Sequence, residues 1–480
     1  MSREDVTAGA PDAIAAPIVS AEAAAASLPR RVTLLAGFAF ASNGLNLGVL
    51  SFALPGLQSA WGLTPGEAGL LTAAAGAGQL VGGAVMGYAA DWMGRRAGYG
   101  LTVGLSALST GAASLAPSLG ALGAVLFVAG VGFGGVAPVA TSLVGEFAPQ
   151  ERRGALIGWT QVIWVLGWIA AAAAGAIVAH GLQWRLVLAF GAVPLVFAIV
   201  GPWLLPESPR FLLAHGRRLE AEALARFLRT RFGASVELPA QEHAGAGSLW
   251  ARLRELWGPR FRRDTILLWT VWGIMIASYN GPVLWLPAVL HASGAPDADR
   301  IALWFSCAMI VPTIMATLVL DRVGRKPVML GALTVAGIGA AVLAGARGEA
   351  GLVGGGIMMG GGVLAAWPVI LSYAAELYPT RIRATATGWA SAAGRGAGTV
   401  SPLLLGLVIG NWSSGHGALF GYVGAIAVAI AIVLWLGRET VGRSLEETSA
   451  ERVPAAGGRG ARRRGREDSR RSACGKEGAR

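Results

Sequence analysis

The sequence is poor in charge, in cysteine and above all in lysine. Charged residues make up 14% of the 480 residues, against about 25% in soluble globular proteins. The two cysteines, Cys307 and Cys474, are too few for a disulfide framework. Lysine occurs only at Lys326 and Lys476, so arginine carries most of the net charge of +12. Because these arginines cluster in particular loops and in the tail, the charge does not indicate a nucleic-acid surface.

The sequence also lacks the signatures of an enzyme. It contains no nucleophile–base pair, no metal-binding cluster and no G-x-x-x-x-G-K-[ST] phosphate loop. We therefore expect no catalytic residue, no metal and no cofactor, and ATP-driven transport is disfavoured.

Apolar residues dominate the chain. They account for 54% of it, the mean hydropathy is +0.56, and glycine occurs 71 times. About 20 apolar residues span a bilayer, and glycine is frequent in membrane helices. We predict an all-α membrane protein with twelve transmembrane helices near 32–57, 68–90, 97–116, 119–144, 156–179, 186–204, 265–290, 301–320, 328–346, 351–375, 385–410 and 418–437.

Loop charges predict the orientation. Basic residues concentrate in alternate loops: Arg95, Arg96, Arg152, Arg153, the arginine-rich 207–263 segment, Arg322, Arg325, Lys326, Arg381 and Arg383. Basic loops stay in the cytoplasm, so we expect a multi-pass protein of the cell inner membrane with both termini cytoplasmic. The predicted parts are a cytoplasmic lead (1–31), a six-helix bundle (32–204), a cytoplasmic central loop (205–264), a second six-helix bundle (265–437) and a basic cytoplasmic tail (438–480).

Two short patterns occur once in each half. "GYAADWMGRR" corresponds to "TLVLDRVGRK", and "EFAPQERRG" corresponds to "ELYPTRIRA". Asp91 and Asp321 lie 230 residues apart, and so do Glu146 and Glu376. A shared offset for two independent motifs indicates parallel six-helix repeats related by an axis along the membrane normal.

These motifs place acids and arginines where helices end near the cytoplasm. A carboxylate beside an arginine-bearing tight turn forms a charge-assisted network, which predicts a latch that releases as the halves rock. The alternative is that the arginines only set the orientation. The candidate gating residues are Gly87, Asp91, Gly94, Arg95, Arg96, Glu146 and Arg153 in the first half and Asp321, Gly324, Arg325, Glu376 and Arg383 in the second.

The motifs resemble those of the major facilitator superfamily. Gly87-x-x-x-Asp91-x-x-Gly94-Arg95-Arg96 is similar to its signature between spans 2 and 3, although Trp92 stands where a basic residue is usual. "PESPRFLLAHGR", from Pro206, and "RETVGRSLEE" are similar to motifs of its sugar-porter and organic-solute branches. The resemblance covers about 32–447 and implies transport by two six-helix bundles.

Span 1 resembles that of the aromatic-acid:proton symporters, which carry Asp-Gly-x-Asp there. This chain has Asn43-Gly44-Leu45-Asn46 instead. Asn43 and Asn46, at i and i+3, face the same way on a helix. Amides bind a polar solute but do not carry a proton, which puts proton coupling at these positions in doubt.

One ionisable residue lies at membrane depth in the predicted spans. Arg395, in "SAAGRGAGTVSP", is ten residues into span 11, about 15 Å along the helix and near the bilayer midplane. A charge there costs at least about 2.5–3.5 kcal/mol, and a guanidinium suits a carboxylate bidentately. We therefore predict that Arg395 binds an anionic substrate. The alternative is that it snorkels or braces helix carbonyls.

Other polar and aromatic residues within the spans are weaker candidates for substrate contact, because aromatic residues in membrane helices commonly serve packing. They are Gln161, Tyr279, Asn280, Trp367 and Tyr373.

Together these features predict a secondary active or facilitative transporter of a small organic anion, with an aromatic carboxylate as one candidate, working by alternating access, with or without proton coupling. The alternatives are a neutral sugar or polyol porter, a drug or metabolite exporter, and a solute sensor that does not transport. The expected partners are the small-molecule substrate, a proton and the lipid bilayer, with the protein a monomer.

Overall fold

The computed structural model describes residues 12–147, 153–178, 184–232, 249–292, 297–346, 348–378, 380–409 and 412–440. Within these ranges the chain is almost entirely helical and contains no strand. The predicted all-α class is confirmed.

Six helical units form the first half. They are α1 (Asp12–Trp61), α2 (Pro65–Met93), α3 (Arg95–Ala113), α4 (Leu119–Phe147), α5 (Arg153–Val178) and the pair α6 (Trp184–Phe190) and α7 (Leu195–Leu204). Helix α1 begins twenty residues before the predicted span, in an alanine-rich segment, and alanine has the highest helix propensity. The sixth unit bends between α6 and α7, where Pro194 interrupts the backbone ladder.

Three short helices follow, α8 (Pro209–Ala214), α9 (Arg218–Phe232) and α10 (Leu249–Leu256). The predicted helical stretch in the central loop thus forms α9. The second half comprises α11 (Arg262–Ser278), a π-helical turn (Tyr279–Val283), α12 (Leu284–Ala292), α13 (Ala298–Ala308), α14 (Ile310–Val323), α15 (Arg325–Gly345), α16 (Glu349–Glu376), α17 (Thr380–Ile409) and α18 (Trp412–Leu436).

Each of the twelve predicted spans coincides with a helix or a broken helix. Among the described residues, nine of these units are long and apolar enough to cross a membrane. The exceptions are α2, α3 and α17, which are rich in glycine, alanine, serine and threonine. For these three helices membrane crossing stays a prediction.

The two halves meet along a few helix pairs. Helix α2 packs against α17, α5 against α13 and α14, and α1 against α12. The contact between α2 and α17 is close because Gly76 faces Thr399, where a Cβ on Gly76 would lie 2.8 Å from the threonine Oγ1. On α14, Thr317 packs against Gly158 of α5. The polar and aromatic residues described next lie along these pairs.

Candidate functional site

Three aromatic rings meet where α5 approaches the π-helical turn. The ring centroids of Trp164 and Trp168 are 6.1 Å apart and the rings are stacked. Tyr279 lies edge-on to both, at 5.6 Å from Trp164 and 5.7 Å from Trp168. The tryptophans belong to the first half and Tyr279 to the second, so this aromatic cluster lies between the two halves. Flat rings in such an arrangement suit an aromatic ligand.

Polar partners hold the two tryptophans in place. Trp164 Nε1 donates a hydrogen bond to Asn43 Oδ1 on α1 at 2.9 Å, and Asn43 Nδ2 donates to the Phe133 carbonyl at 3.4 Å. Trp168 Nε1 donates to Ser306 Oγ on α13 at 3.0 Å, which crosses between the halves. The rings are therefore oriented before any ligand arrives.

The Tyr279 hydroxyl is buried and makes no hydrogen bond within the described part of the chain. Tyr279 begins a π-helical turn that contains Pro282, and π-turns are frequent at functional sites. A buried hydroxyl without a partner costs free energy. This hydroxyl is thus a free polar group beside the aromatic cluster.

The next residue connects this turn to α17. Asn280 Nδ2 donates to the Gly398 carbonyl at 3.3 Å, three residues beyond Arg395. One turn further along α17, Ser401 Oγ donates to the Ala277 carbonyl at 2.7 Å. Two hydrogen bonds therefore join the π-helical turn and the end of α11 to the helix that carries Arg395.

Arg395 points across the interface toward α2. Its Nη1 donates to the Gln79 carbonyl at 3.3 Å and its Nε donates to Ser391 Oγ at 3.3 Å. The guanidinium lies beside Gly83, where a Cβ would be 3.7 Å from the arginine Nε, an ordinary contact distance. Among the described residues no carboxylate lies within ion-pair distance of Arg395. Both partners are neutral, so the charge is solvated but not neutralised.

Four other predicted substrate residues lie in separate surroundings. Asn46 is 1% exposed and packs near Gly191, inside the first half. Gln161 is buried on α5, three residues from Trp164, and donates to Thr160 Oγ1 at 3.2 Å. Trp367 is half-buried on α16. Tyr373 donates through its hydroxyl to the Arg438 carbonyl at 2.6 Å, near the end of α16.

The gating motif of the first half forms a capped helix end. Gly94 adopts φ +96° and separates α2 from α3, and a Cβ there would lie 2.6 Å from Glu207 Oε2. Glu207 Oε1 accepts a hydrogen bond from the Arg95 backbone N–H at 2.8 Å. Arg96 Nε donates to the Pro202 carbonyl at 2.7 Å. Only glycine satisfies both the backbone angle and the close approach.

The second half repeats this arrangement. Gly324 adopts φ +111°, and Glu439 accepts the backbone N–H groups of Arg325 at 3.0 Å and Lys326 at 3.1 Å. A carboxylate at a helix N-terminus is favourable for its charge and its hydrogen bonds. In both halves, therefore, an acid from the segment after the sixth helical unit caps the third.

Arg325 extends the network in the second half. Its Nη2 lies 2.8 Å from Glu376 Oε1 and 3.1 Å from Asp321 Oδ1, and its Nε donates to Glu376 Oε2 at 3.2 Å. Thr440 also donates to Glu376. All these residues belong to the second half, so the described contacts brace that half internally. Outside the described residues lie the surroundings of Gly87 and the side chains of Asp91, Glu146, Arg153 and Arg383.

Sequence reasoning missed Trp164 and Trp168, although Gln161, Trp164 and Trp168 are spaced to share one helix face. It also missed the capping role of Glu207 and Glu439. Both acids stand in the motifs "PESPR" and "RETVG", but their partners lie more than 100 residues earlier.

The comparisons with known proteins agree with one another. Residues 32–451 match the family model described as sugar (and other) transporter. The niacin transporter NiaP of Acinetobacter baylyi is 30% identical over 85% of this chain and 94% of its own length. The putative niacin/nicotinamide transporter NiaP of Bacillus subtilis is 29% identical over 87% and 98%.

Solved structures show the same fold. The inward-open xylose transporter XylE from E. coli superposes with a TM-score of 0.69 at 20% identity, covering 88% of this chain and 99% of that one. The human organic anion transporter MFSD10 gives 0.62 at 18% identity, covering 84% and 99%. Motifs, architecture and relatives thus converge: the chain belongs to the sugar (and other) transporter family of the major facilitator superfamily and is a multi-pass membrane transporter of small molecules.

Proposed function

We propose that the protein carries a small aromatic carboxylate, of the pyridine-carboxylate type that includes nicotinate, across the inner membrane by alternating access. The single observation that carries the proposal is a guanidinium without a described acidic partner, at the same inter-half interface as an aromatic cluster. The names of the two NiaP relatives support the same substrate class.

The chemistry of the ligand matches the groups available. An aromatic ring packs against Trp164, Trp168 and Tyr279, and the Tyr279 hydroxyl donates to a ring nitrogen or a carboxylate. The carboxylate replaces the Gln79 carbonyl as the partner of Arg395. A charged acceptor forms stronger hydrogen bonds than a neutral one, about 1.5–3 kcal/mol each.

The same exchange couples binding to movement. In the structure the hydrogen bond from Arg395 to the Gln79 carbonyl joins α17 to α2. When the ligand carboxylate binds the guanidinium, this hydrogen bond breaks and α2 is no longer held to α17. The capped helix ends at Gly94 and Gly324 then keep each half rigid while the halves rock. The capped helix ends lie on the cytoplasmic face, because that face bears the basic loops. The carrier works as a monomer.

Coupling to protons is not required by this site. Asn43 holds Trp164 through its amide, and Asn46 is likewise an amide. Uniport or exchange therefore fits the first helix better than symport. If a protonophore leaves the initial rate of uptake into proteoliposomes unchanged, uniport or exchange is supported; if the rate falls to background, a proton is the coupling ion.

The substrate proposal is tested by uptake into proteoliposomes. Labelled nicotinate enters at a rate that unlabelled benzoate-like acids reduce, and Arg395→Gln raises KM about 10- to 100-fold, the loss expected for one charged hydrogen-bond pair. Arg217→Gln, in the exposed central segment, is the matched control and leaves KM unchanged. The proposal is refuted if no aromatic acid is transported or reduces the rate of uptake, or if Arg395→Gln leaves the KM of nicotinate unchanged.

A neutral sugar or polyol is the second candidate, favoured by the description of the family model and by the fold of the xylose transporter. For such a substrate Arg395→Gln leaves KM within about twofold, because a neutral solute gains no charge-assisted bond. Removing residues 448–480 separates transport from sensing: a carrier keeps its flux, and a sensor loses its output.

A further inference from the structure

Four tryptophans converge on the outside of the second half, away from the inter-half interface. Trp257 and Trp269 meet edge-to-face at 5.4 Å, and Trp269 stacks with Trp389 at 6.4 Å. With Trp250, Leu253 and Arg254 they line a groove of about 480 Å³ between α10, α11 and α17. We call this the tryptophan groove.

The groove is open and its rings are exposed. Trp250 is 79% exposed, Trp257 46% and Trp389 40%. Three large rings exposed around one concavity are more than the scattered apolar residues that a protein surface normally carries. Their exposure indicates that an apolar component of the surroundings fills the groove.

The position of the groove sets the depth of its two ends. Trp269 is seven residues beyond the start of α11 and Trp389 nine beyond the start of α17, about 10 and 13 Å along these helices. Both helices start on the face with the basic loops, where α10 lies. The groove thus runs from the headgroup level at α10 to acyl-chain depth at Trp269 and Trp389.

The shallow end is positively charged. Arg254 lines the groove and is exposed, and Arg262 and Arg263 follow at the start of α11, also exposed. The nearby acid Asp264 is already paired with Arg438 at 2.8 Å, which leaves Glu255 as the other acid in this segment. The excess of arginines over acids at this end favours an anionic headgroup. Each arginine near an anionic surface contributes roughly a fivefold gain in affinity.

We propose that the tryptophan groove binds one anionic glycerophospholipid of the cytoplasmic leaflet. Its phosphate lies against Arg254 and an acyl chain lies along Trp257, Trp269 and Trp389. A soluble anion has no group to fill the aromatic end, and a zwitterionic lipid gains less from the basic end. This site is separate from the proposed substrate site and does not depend on the identity of the substrate.

Native mass spectrometry of the full-length protein, released from micelles with phosphatidylglycerol or phosphatidylcholine of the same chain length, tests the proposal. The wild type retains one bound phosphatidylglycerol molecule at a lipid concentration about fivefold lower than the concentration at which it retains one phosphatidylcholine molecule. The double variant Trp250→Ala/Arg254→Gln loses this preference. The matched control Trp203→Ala/Arg217→Gln, which changes an equally exposed tryptophan and arginine elsewhere, keeps it.

Three results would overturn the proposal: equal retention of both lipids by the wild type, an unchanged preference in the double variant, or a dimer that the double variant abolishes, which would make a second copy the occupant. Both substituted side chains are exposed, so the double variant is expected to fold. Should it not elute as the wild type does, the single variant Arg254→Gln replaces it, and retention of the full preference in that variant also contradicts the site.

Discussion

In the first half of the chain Glu207 caps α3, and in the second half Glu439 caps α15 in the same way. The glycines that precede the capped helices, Gly94 and Gly324, both have positive φ. At membrane depth the halves differ. Arg395 on α17 corresponds, 230 residues earlier, to Val165 on α5, a fully buried apolar residue.

The difference separates two tasks. The duplicated cap is mechanical, because each half needs a rigid end on the basic face. In the proposed substrate site the first half supplies the tryptophans and the second half supplies the charge. A ligand that needs both a ring surface and a cation must then contact both halves, which is how a carrier senses its substrate.

The largest effect should come from breaking the ion network that the described residues of the second half form around Arg325. Arg325→Gln removes the pairs to Glu376 and Asp321. We expect a loss of about 3 kcal/mol in the free energy of unfolding, at the low end for a buried pair because Glu376 is 22% exposed.

Arg96→Gln in the first half removes one bond to a carbonyl and should cost about 1 kcal/mol. Unfolding in mixed micelles of increasing denaturing detergent measures both variants. Equal losses would show that the ion pairs of Arg325 contribute no more than one hydrogen bond to a carbonyl.

The next effect tests the asymmetry at membrane depth. Val165→Ala, at the position that corresponds to Arg395, should change transport KM by no more than about threefold, although it costs about 1 kcal/mol or more of stability as a buried cavity. Arg395→Lys should raise KM about tenfold, because lysine keeps the charge but loses the planar fork. Initial rates at varied nicotinate concentration give both constants. A lysine variant with normal KM would show that charge alone suffices.

Sequence reasoning recovered the parts of this comparison that depend on local pattern. Apolar runs located the helical units of both halves, and the common offset of Asp91/Asp321 and Glu146/Glu376 predicted the repeat. Arg395 was identifiable because a charge in an apolar run is costly wherever the helix lies. Each apolar run and each motif is contained within about 20 residues, and the repeat is found by comparing motifs that lie 230 residues apart.

The remainder depends on which helices become neighbours. The bond from Arg395 to the Gln79 carbonyl joins residues 316 positions apart, and nothing local in either segment specifies it. In the sequence Trp164 and Trp168 cannot be distinguished from packing residues, because their contact with Tyr279 is visible only in the structure. The capping acids were visible as motifs, but not as caps, because their partners come from distant helices.

A moderate effect should distinguish the two caps. Glu439 accepts backbone N–H groups from Arg325, Lys326 and Thr440, whereas Glu207 accepts them from Arg95 and Ser208. Loss of a helix cap costs about 0.5–2 kcal/mol. Glu439→Gln should therefore lie near the upper limit and Glu207→Gln near the middle, as measured by melting temperature in detergent. Equal losses would mean that the extra bond in the second half contributes nothing, and the reverse order would contradict the comparison.

The smallest effect concerns the contact between α2 and α17, on the side opposite the caps. Gly76→Ala places a methyl group 2.8 Å from Thr399 Oγ1 and 3.0 Å from Thr399 Cα, so the helices must separate. Gly83→Ala makes only ordinary contacts, with Arg395 Nε at 3.7 Å and with Arg395 Cζ and the Gly134 carbonyl oxygen at 3.8 Å, and serves as the control.

We expect Gly76→Ala to shift the equilibrium toward a state open on that side by about 1 kcal/mol, or roughly fivefold. Spin labels at the exposed positions Leu70 and Leu404, in a chain with Cys307 and Cys474 replaced by serine, report the separation of α2 and α17. A longer distance in Gly76→Ala but not in Gly83→Ala supports a seam that opens during transport. If both variants keep the wild-type distance, α2 and α17 form a fixed contact, and the release of Gln79 by Arg395 cannot be the step that separates the halves.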